Sequence, residues 1–300
     1  MNKETSKILR RAAAALCFSL FPLFLAAEAP EKTLLVVAHP DDEYYFAATV
    51  YRMAIQLHGQ VDELIITDGE GGFRYSTLAE PLYNKSLTVE SVGRKELPAI
   101  RREEALNAGK ILGIKQHFFL NQRDEHFTTD LDSAKRDWNS AFVVSSIVAL
   151  IKREHYRYIF SILPRATTHG HHQAATYLAA SAIQGLPEKS RPVLLGFDTD
   201  GTDFALNLRL QQDSQGWKSA YVYAFDRTTR FGFRDSLSYQ IVVDWVIAAH
   251  KSQGLLQTMC GKDPKEYIWI DFASALGARA AASSLFAQLG FGNVHQEGFQ

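Results

Sequence analysis

The chain has 300 residues, 46% hydrophobic and 22% charged, a composition that excludes disordered and fibrous proteins and fits an ordinary globular one. Its formal net charge of −1 lacks the basic excess of a nucleic-acid-binding surface. Two cysteines, Cys17 and Cys260, exclude a disulfide-stapled scaffold.

The first 29 residues differ from the rest. Lys3, Lys7, Arg10 and Arg11 precede an apolar run from Ala12 to Ala27, and Ala27-Glu28-Ala29 is a small-x-small cleavage pattern. This layout predicts a secretory signal peptide cleaved after Ala29, and hence an exported protein, periplasmic or secreted. An uncleaved membrane anchor is the competing reading, but an apolar run of about 16 residues is short for one. Cys17 has no small residue immediately before it, which argues against a lipoprotein site. Cleavage would remove four basic and two acidic side chains, taking the formal charge from −1 to −3. It would leave Cys260 alone, so residues 30–300 are read as a single domain stabilised by its core and by no internal disulfide.

Leu34 to Val37 is a run of strand-favouring residues leading into Ala38-His39-Pro40-Asp41-Asp42-Glu43. The apolar run predicts a buried strand of a parallel sheet, which Pro40 ends because it has no N–H to donate. Asp41 or Asp42 stands where a helix cap belongs, before the periodic stretch Tyr45 to Leu57. An acid here serves a helix start on its own account. Yet the junction of a strand's carboxyl end with a helix start is also where open α/β folds place ligands. Imidazole and carboxylate together are what a hydrolytic zinc site uses.

Val61 to Thr67 reads as a second strand closed by Asp68-Gly69-Glu70-Gly71-Gly72, a turn that permits close backbone approach or a sharp reversal. Residues 73–97 show no sustained periodicity and are read as a loop, either a substrate-lining flap or a plain surface excursion. Pro98 to Gly113 is predicted as a helix with proline near its start and glycine at its end. Within it, Arg101 and Glu104 stand one turn apart and suit a surface ion pair. His117 to Asn121 is a short strand followed by Asp124, an acid just beyond a strand end, as at Asp41. An amphipathic helix over Asp137 to His155 and a strand over Tyr156 to Leu163 come next.

That strand leads into Pro164-Arg165-Ala166-Thr167-Thr168-His169-Gly170-His171-His172-Gln173, with three histidines in four residues. Such a cluster points to metal binding. If a helix begins near His171, His169 lies in the preceding loop and His172 in the first turn, so both converge on one point. Pro192 to Phe197 and Tyr221 to Phe225 are further strands, separated by a polar, irregular stretch from 198 to 216. Ser236 to Ser252 is an amphipathic helix ending in His250-Lys251-Ser252-Gln253, where an exposed His-Lys pair suits the helix dipole. From Glu266 onward the chain is apolar enough to pack but carries no chemical signal. The alternation of strands and helices predicts an α/β, Rossmann-like fold: a mostly parallel sheet, helices on both faces, and a site at the strand carboxyl ends.

Ala38-His39-Pro40-Asp41-Asp42-Glu43 resembles the signature of the PIG-L/LmbE-like zinc-dependent de-N-acetylases. The later elements follow in that family's order. They are the Thr67-to-Glu70 turn, the Arg101-x-x-Glu104 helix with Ala108 and Leu112-Gly113, the histidine cluster, and His250-x-Ser252-Gln253. The family motif His-x-Asp-His maps its two histidines onto His169 and His172, while His171 stands where the family has Asp. The resemblance implies one Zn²⁺ per chain, or another divalent metal, held by His39, Asp42 and His172, with His171 a rival ligand. It implies Asp41 as general base and His169, if protonated, as oxyanion stabiliser. Glu70, Arg101, Asp124 and His171 are then candidates for substrate binding. The implied reaction removes an acetyl group from an N-acetylglucosamine-type sugar or glycan, and export favours one in the cell envelope or outside it. Two rivals remain: a zinc hydrolase acting on another amide, ester or phosphoester, and a non-catalytic carbohydrate-binding protein on the same fold. A two-metal phosphoesterase would want more bridging carboxylates, and a binder needs neither Asp41 nor His169.

Overall fold

A computed structural model of the chain describes residues 31–125, 127–199, 219–271 and 274–290. The leader at 1–29 and nearly all of the stretch 198–216 lie outside these residues. The sheet strands are β1 (Thr33–Val37), β2 (Val61–Thr67), β3 (His117–Gln122), β4 (Tyr158–Ile162), β5 (Val193–Asp198), β6 (Ser219–Asp226) and β7 (Lys265–Asp271). They are ordered β3-β2-β1-β4-β5-β7-β6. The first five are mutually parallel, and β7 lies antiparallel between β5 and β6. This is the doubly wound arrangement, in which the chain leaves β1 for one side and returns to its other side at β4.

The period-2 alternation of each central strand splits the core in two. Leu35, Val37, Ile65, Phe160 and Leu195 face one side, against α1 (Ala47–Tyr51), α2 (Glu90–Leu112), α5 (Tyr239–Ala249) and α6 (Ala278–Leu289). Leu34, Val36, Leu64, Ile159 and Leu194 face the other, against α3 (Ser140–Glu154) and α4 (Gly170–Gln184). Both faces of the sheet are covered, as the near-continuous apolar strands require.

Three elements depart from the sequence expectation. The helix placed over Tyr45 to Leu57 is a 3₁₀ turn (Asp42–Phe46), one α-turn and a π-turn (Arg52–Gln56) in succession. α2 begins at Glu90 and carries Pro98 inside it. Its buried face, Gly93, Leu97, Arg101, Ala105, Ala108 and Leu112, keeps a three-to-four-residue spacing straight through the proline. That packing outweighs the roughly 3 kcal/mol an internal proline costs. Residues 73–89 are built of short helical turns, and a six-residue helix, Leu131–Arg136, precedes α3.

The last strand is tied to the first helix by a buried ion pair. Glu266 accepts the backbone N–H groups of Ala48 and Thr49 at 2.8 and 3.0 Å and the Arg227 Nε–H at 3.1 Å. Arg227 in turn donates to the Tyr44 carbonyl at 2.7 Å. Removing one partner strands the other charge in the core. Glu266→Ala is therefore expected to lower the unfolding free energy by about 3–5 kcal/mol, read as a fall in the urea midpoint at unchanged slope.

Candidate metal centre

The site lies where β1 and β4 part company. Beyond β1, Thr67 binds the Ala38 carbonyl through both its N–H and its hydroxyl, each at 2.8 Å, which fixes the strand end against β2. The chain then turns so that Asp42 Oδ2 accepts the N–H groups of Ala38 and His39 at 2.9 and 2.8 Å. Its other oxygen, Oδ1, points outward to His172 Nε2 at 3.0 Å and His39 Nδ1 at 3.7 Å. His39 Nδ1 and His172 Nε2 stand 3.0 Å apart.

Beyond β4, α4 begins at Gly170, one residue before the expected start, with His169 at its cap and His172 in its first turn as expected. His169 Nδ1 accepts the His171 N–H at 3.1 Å, so its ring proton resides on Nε2. Gly170 permits a close approach: a Cβ there would meet Thr128, Asp130 and Ala134 at 3.0 Å each. Its N–H donates to Thr128 O at 2.6 Å, and Gln173 holds Thr129 O and Thr168 O at 3.0 and 2.7 Å. These bonds pin the histidine turn to the segment before Leu131.

Among the described residues, two overlapping groups can hold a metal ion, His39–Asp42–His172 and His39–His169–His171. In the first, the separations of 3.0, 3.0 and 3.7 Å bracket the edge of about 3.3 Å expected for ligands some 2.0 Å from a common tetrahedral centre. The electrostatics favour a cation. Burial works against charge on His39, but Asp124 and Asp42 outweigh it and push this imidazole up to about 10. Burial likewise opposes ionisation of Asp42 and Asp124, yet the facing imidazoles hold both carboxyls well below the usual range. His169 is pushed down to about 2 by burial and by three neighbouring imidazoles, so the protonated form on which its oxyanion role was conditioned is disfavoured here.

The other expected residues have specific partners. Arg101 is buried, donating to Asp41 Oδ1 and to the Gly69 carbonyl, both at 2.7 Å. Gly69 has φ +73°, and a Cβ on it would lie 2.5 Å from the guanidinium. Glu104 is buried too, accepting the Ser252 N–H at 2.9 Å and the Tyr83 hydroxyl at 2.8 Å. The Arg101–Glu104 surface pair is thus corrected: the two point to different buried partners. Asp124 reaches the site, 3.6 Å from His39 Nε2, with Oδ2 accepting the Gly71 N–H at 3.1 Å. Glu70 sits between Arg94 and Arg123, 3.5 Å from each. His171 is fully buried, with Nε2 3.1 Å from Asp137 Oδ2. His250 is buried rather than exposed, 2.5 Å from Glu43 Oε1. Glu43, Asp137 and Trp138 were not singled out from sequence. No local pattern marks them: Asp137 meets His171 34 positions away, and Glu43 meets His250 207 positions away.

A model of the GlcNAc-PI de-N-acetylase family, PIG-L, matches residues 34–183, half of the chain, including His39, Asp41, Asp42, His169, His171 and His172. The chain belongs to that family. Among curated proteins, a probable N-acetyl-α-D-glucosaminyl L-malate deacetylase 2 of Bacillus cereus is 27% identical over 163 residues, 54% of this chain and 64% of that protein. Its counterpart in Bacillus anthracis is 26% identical over 159 residues, 53% of this chain and 62% of its own. The chain thus spans less than two thirds of these relatives. Among solved structures, a deacetylase in complex with teicoplanin, from the teicoplanin biosynthesis pathway, aligns with a TM-score of 0.52 at 16% identity, over 80% of this chain and 97% of that one. At such identity the likeness shows the fold, which agrees with the mostly parallel sheet and flanking helices expected from sequence.

The Glu43–His250 pair ties α5 to the turn that carries Asp41 and Asp42. Burial alone would lower His250, but the Glu43 carboxylate overcomes it and holds the pKa above the ordinary 6.5. A histidine raised on folding contributes stability in full below its unfolded pKa of about 6.5 and loses it as pH rises through the folded value. The gap in unfolding free energy between wild type and His250→Asn is therefore expected to be widest near pH 6 and to narrow above about pH 6.5. A gap that stays constant with pH would show that the pair carries no charge.

Proposed function

We propose that this PIG-L family member is a metal-dependent N-deacetylase that releases acetate from an N-acetylglucosamine-type sugar or glycan. The observation that carries the reading is the convergence of His39 Nδ1, Asp42 Oδ1 and His172 Nε2 beside a carboxylate, Asp41, that is anchored separately by Arg101. Three protein ligands leave a coordination position open, as hydrolytic zinc sites require. The family and the names of the relatives support the substrate class.

His39, Asp42 and His172 would hold the metal. A zinc or similar divalent ion there supplies Lewis acidity toward an acyl oxygen and lowers the pKa of a water to about 7. Asp41 takes the proton from the attacking water and delivers it to the departing amine. The water oxygen bonds to the acetyl carbon, the carbon–nitrogen bond breaks, and acetate and a free amine leave. Arg101 orients Asp41 through its 2.7 Å bond to Oδ1, so it acts through the base and need not touch substrate. His169, with Nδ1 occupied by the helix cap, donates from Nε2 to the carbonyl oxygen as negative charge develops there. Asp124 lies behind His39, and Glu70 stands among the arginines of the rim. Residues 1–29 direct export, so the substrate belongs to the envelope or the exterior.

The test is acetate release from N-acetylglucosamine and short N-acetylated oligosaccharides. Metal-replete protein is expected to turn over, to stop on chelation and to recover when zinc is restored. Asp41→Ala is expected to cost roughly 10²–10⁴ in rate with metal still bound. Release that survives Asp41→Ala unchanged would remove Asp41 as the base.

A further inference from the structure

Position 171 holds a histidine that the proposed reaction leaves without a task, and its surroundings are built around it. The ring is fully buried and stacks on Trp138, with centroids 4.9 Å apart and planes 28° from parallel. Its two nitrogens are both engaged. Nδ1 stands 3.3 Å from His39 Nε2 and 3.4 Å from Asp124 Oδ1, and Nε2 stands 3.1 Å from Asp137 Oδ2.

A histidine that gives Nδ1 to a metal carries its proton on Nε2, and the group accepting that proton fixes the ring's rotation and tautomer. His39 turns Nδ1 toward Asp42 and His172 and Nε2 toward Asp124 and His171. Resting on the metal assignment above, we infer that His171 is no metal ligand. It is the centre of a carboxylate–imidazole–carboxylate clamp, Asp124–His171–Asp137, that positions the ligand His39. Both ends of the clamp are fixed by backbone. Asp124 is held by the Gly71 N–H at 3.1 Å, and the Asp137–Trp138 segment by the bond from Trp138 Nε1 to Arg123 O at 3.0 Å. Asp137 supplies a carboxylate from outside the histidine motif, at the position in space where His171 would otherwise end in the protein interior. Asp124, His171 and Asp137 are positioning residues.

The test uses the full domain and reads metal binding as well as turnover. Zinc dissociation constants come from chelator competition, and ligand geometry from the visible spectrum of the cobalt(II)-substituted protein. Asp137→Asn keeps the shape of a partly exposed side chain and removes its charge. It is expected to weaken zinc binding about 10–100-fold and to shift the cobalt bands, with the urea midpoint of the metal-free protein unchanged. His171→Ala is expected to do the same, and His171→Ala/Asp137→Asn to be no worse than His171→Ala, because Asp137 acts only through His171. Unchanged affinity and cobalt spectrum in Asp137→Asn would overturn the clamp. So would a wild type that binds two zinc ions and a His171→Ala protein that binds one, since His171 would then ligate the second. Wild type that binds no zinc would remove the metal assignment itself, and the clamp with it.

Discussion

The arrangement depends on how Asp42 divides its two carboxylate oxygens. One accepts two successive backbone N–H groups at the end of β1, and the other faces the imidazoles of His39 and His172. The backbone bonds serve two purposes. They satisfy N–H groups that the ended strand would otherwise bury without partners, and they remove the carboxylate's rotational freedom. A ligand whose orientation is already set loses little entropy when a cation arrives. The same residue therefore ends the strand, shapes the turn and aims the site. Substituting Asn would keep the shape and lose the charge that the facing imidazoles need.

Around this turn the chain buries an unusual amount of ionisable chemistry. Arg101, which bonds Asp41, Glu104 with Ser252, Glu43 with His250, and Glu63 beside His117 are all buried near the site. Glu63 is pushed well up by burial and by the Glu43 and Asp42 charges, and His117, 3.3 Å away, is lowered by burial. Buried pairs of this kind seldom add net stability, because desolvation offsets most of the attraction. The covered sheet, apolar on both faces, supplies the stability that this polar interior does not.

How much of this was legible in the sequence follows from locality. β1, the proline stop and the acids after it lie within ten residues, and the placing of His172 in a first helical turn follows from a four-residue spacing. Local chemistry decides such features, and the structure places them as expected. The start of α2 was misread because Pro98 is a strong local signal for a helix beginning, whereas burial of a face that runs from Gly93 to Leu112 is a tertiary effect. His250 was read as a surface cation since nothing near it in sequence announces Glu43, 207 positions earlier. Arg101 and Glu104, one turn apart, looked like partners; each instead found a partner brought in by the fold. The identity of a buried polar residue is thus readable from sequence, but its partner is readable only when the two are close along the chain.

Position 171 shows the same logic from the other side. Where the family motif has an acid, this chain has a larger, aromatic base, and charge at that point would change sign if nothing else differed. The fold answers with Asp137, carried on the short helix and turn that pack against the start of α4, and with Trp138 laid against the ring. A carboxylate thus stands behind the proposed metal ligands, one imidazole further out. A site that had merely drifted from its motif would leave His171 either exposed or buried without partners, and a buried imidazole with no acceptor would cost roughly 1–3 kcal/mol. Full burial with both nitrogens engaged gives His171 a fixed orientation beside His39.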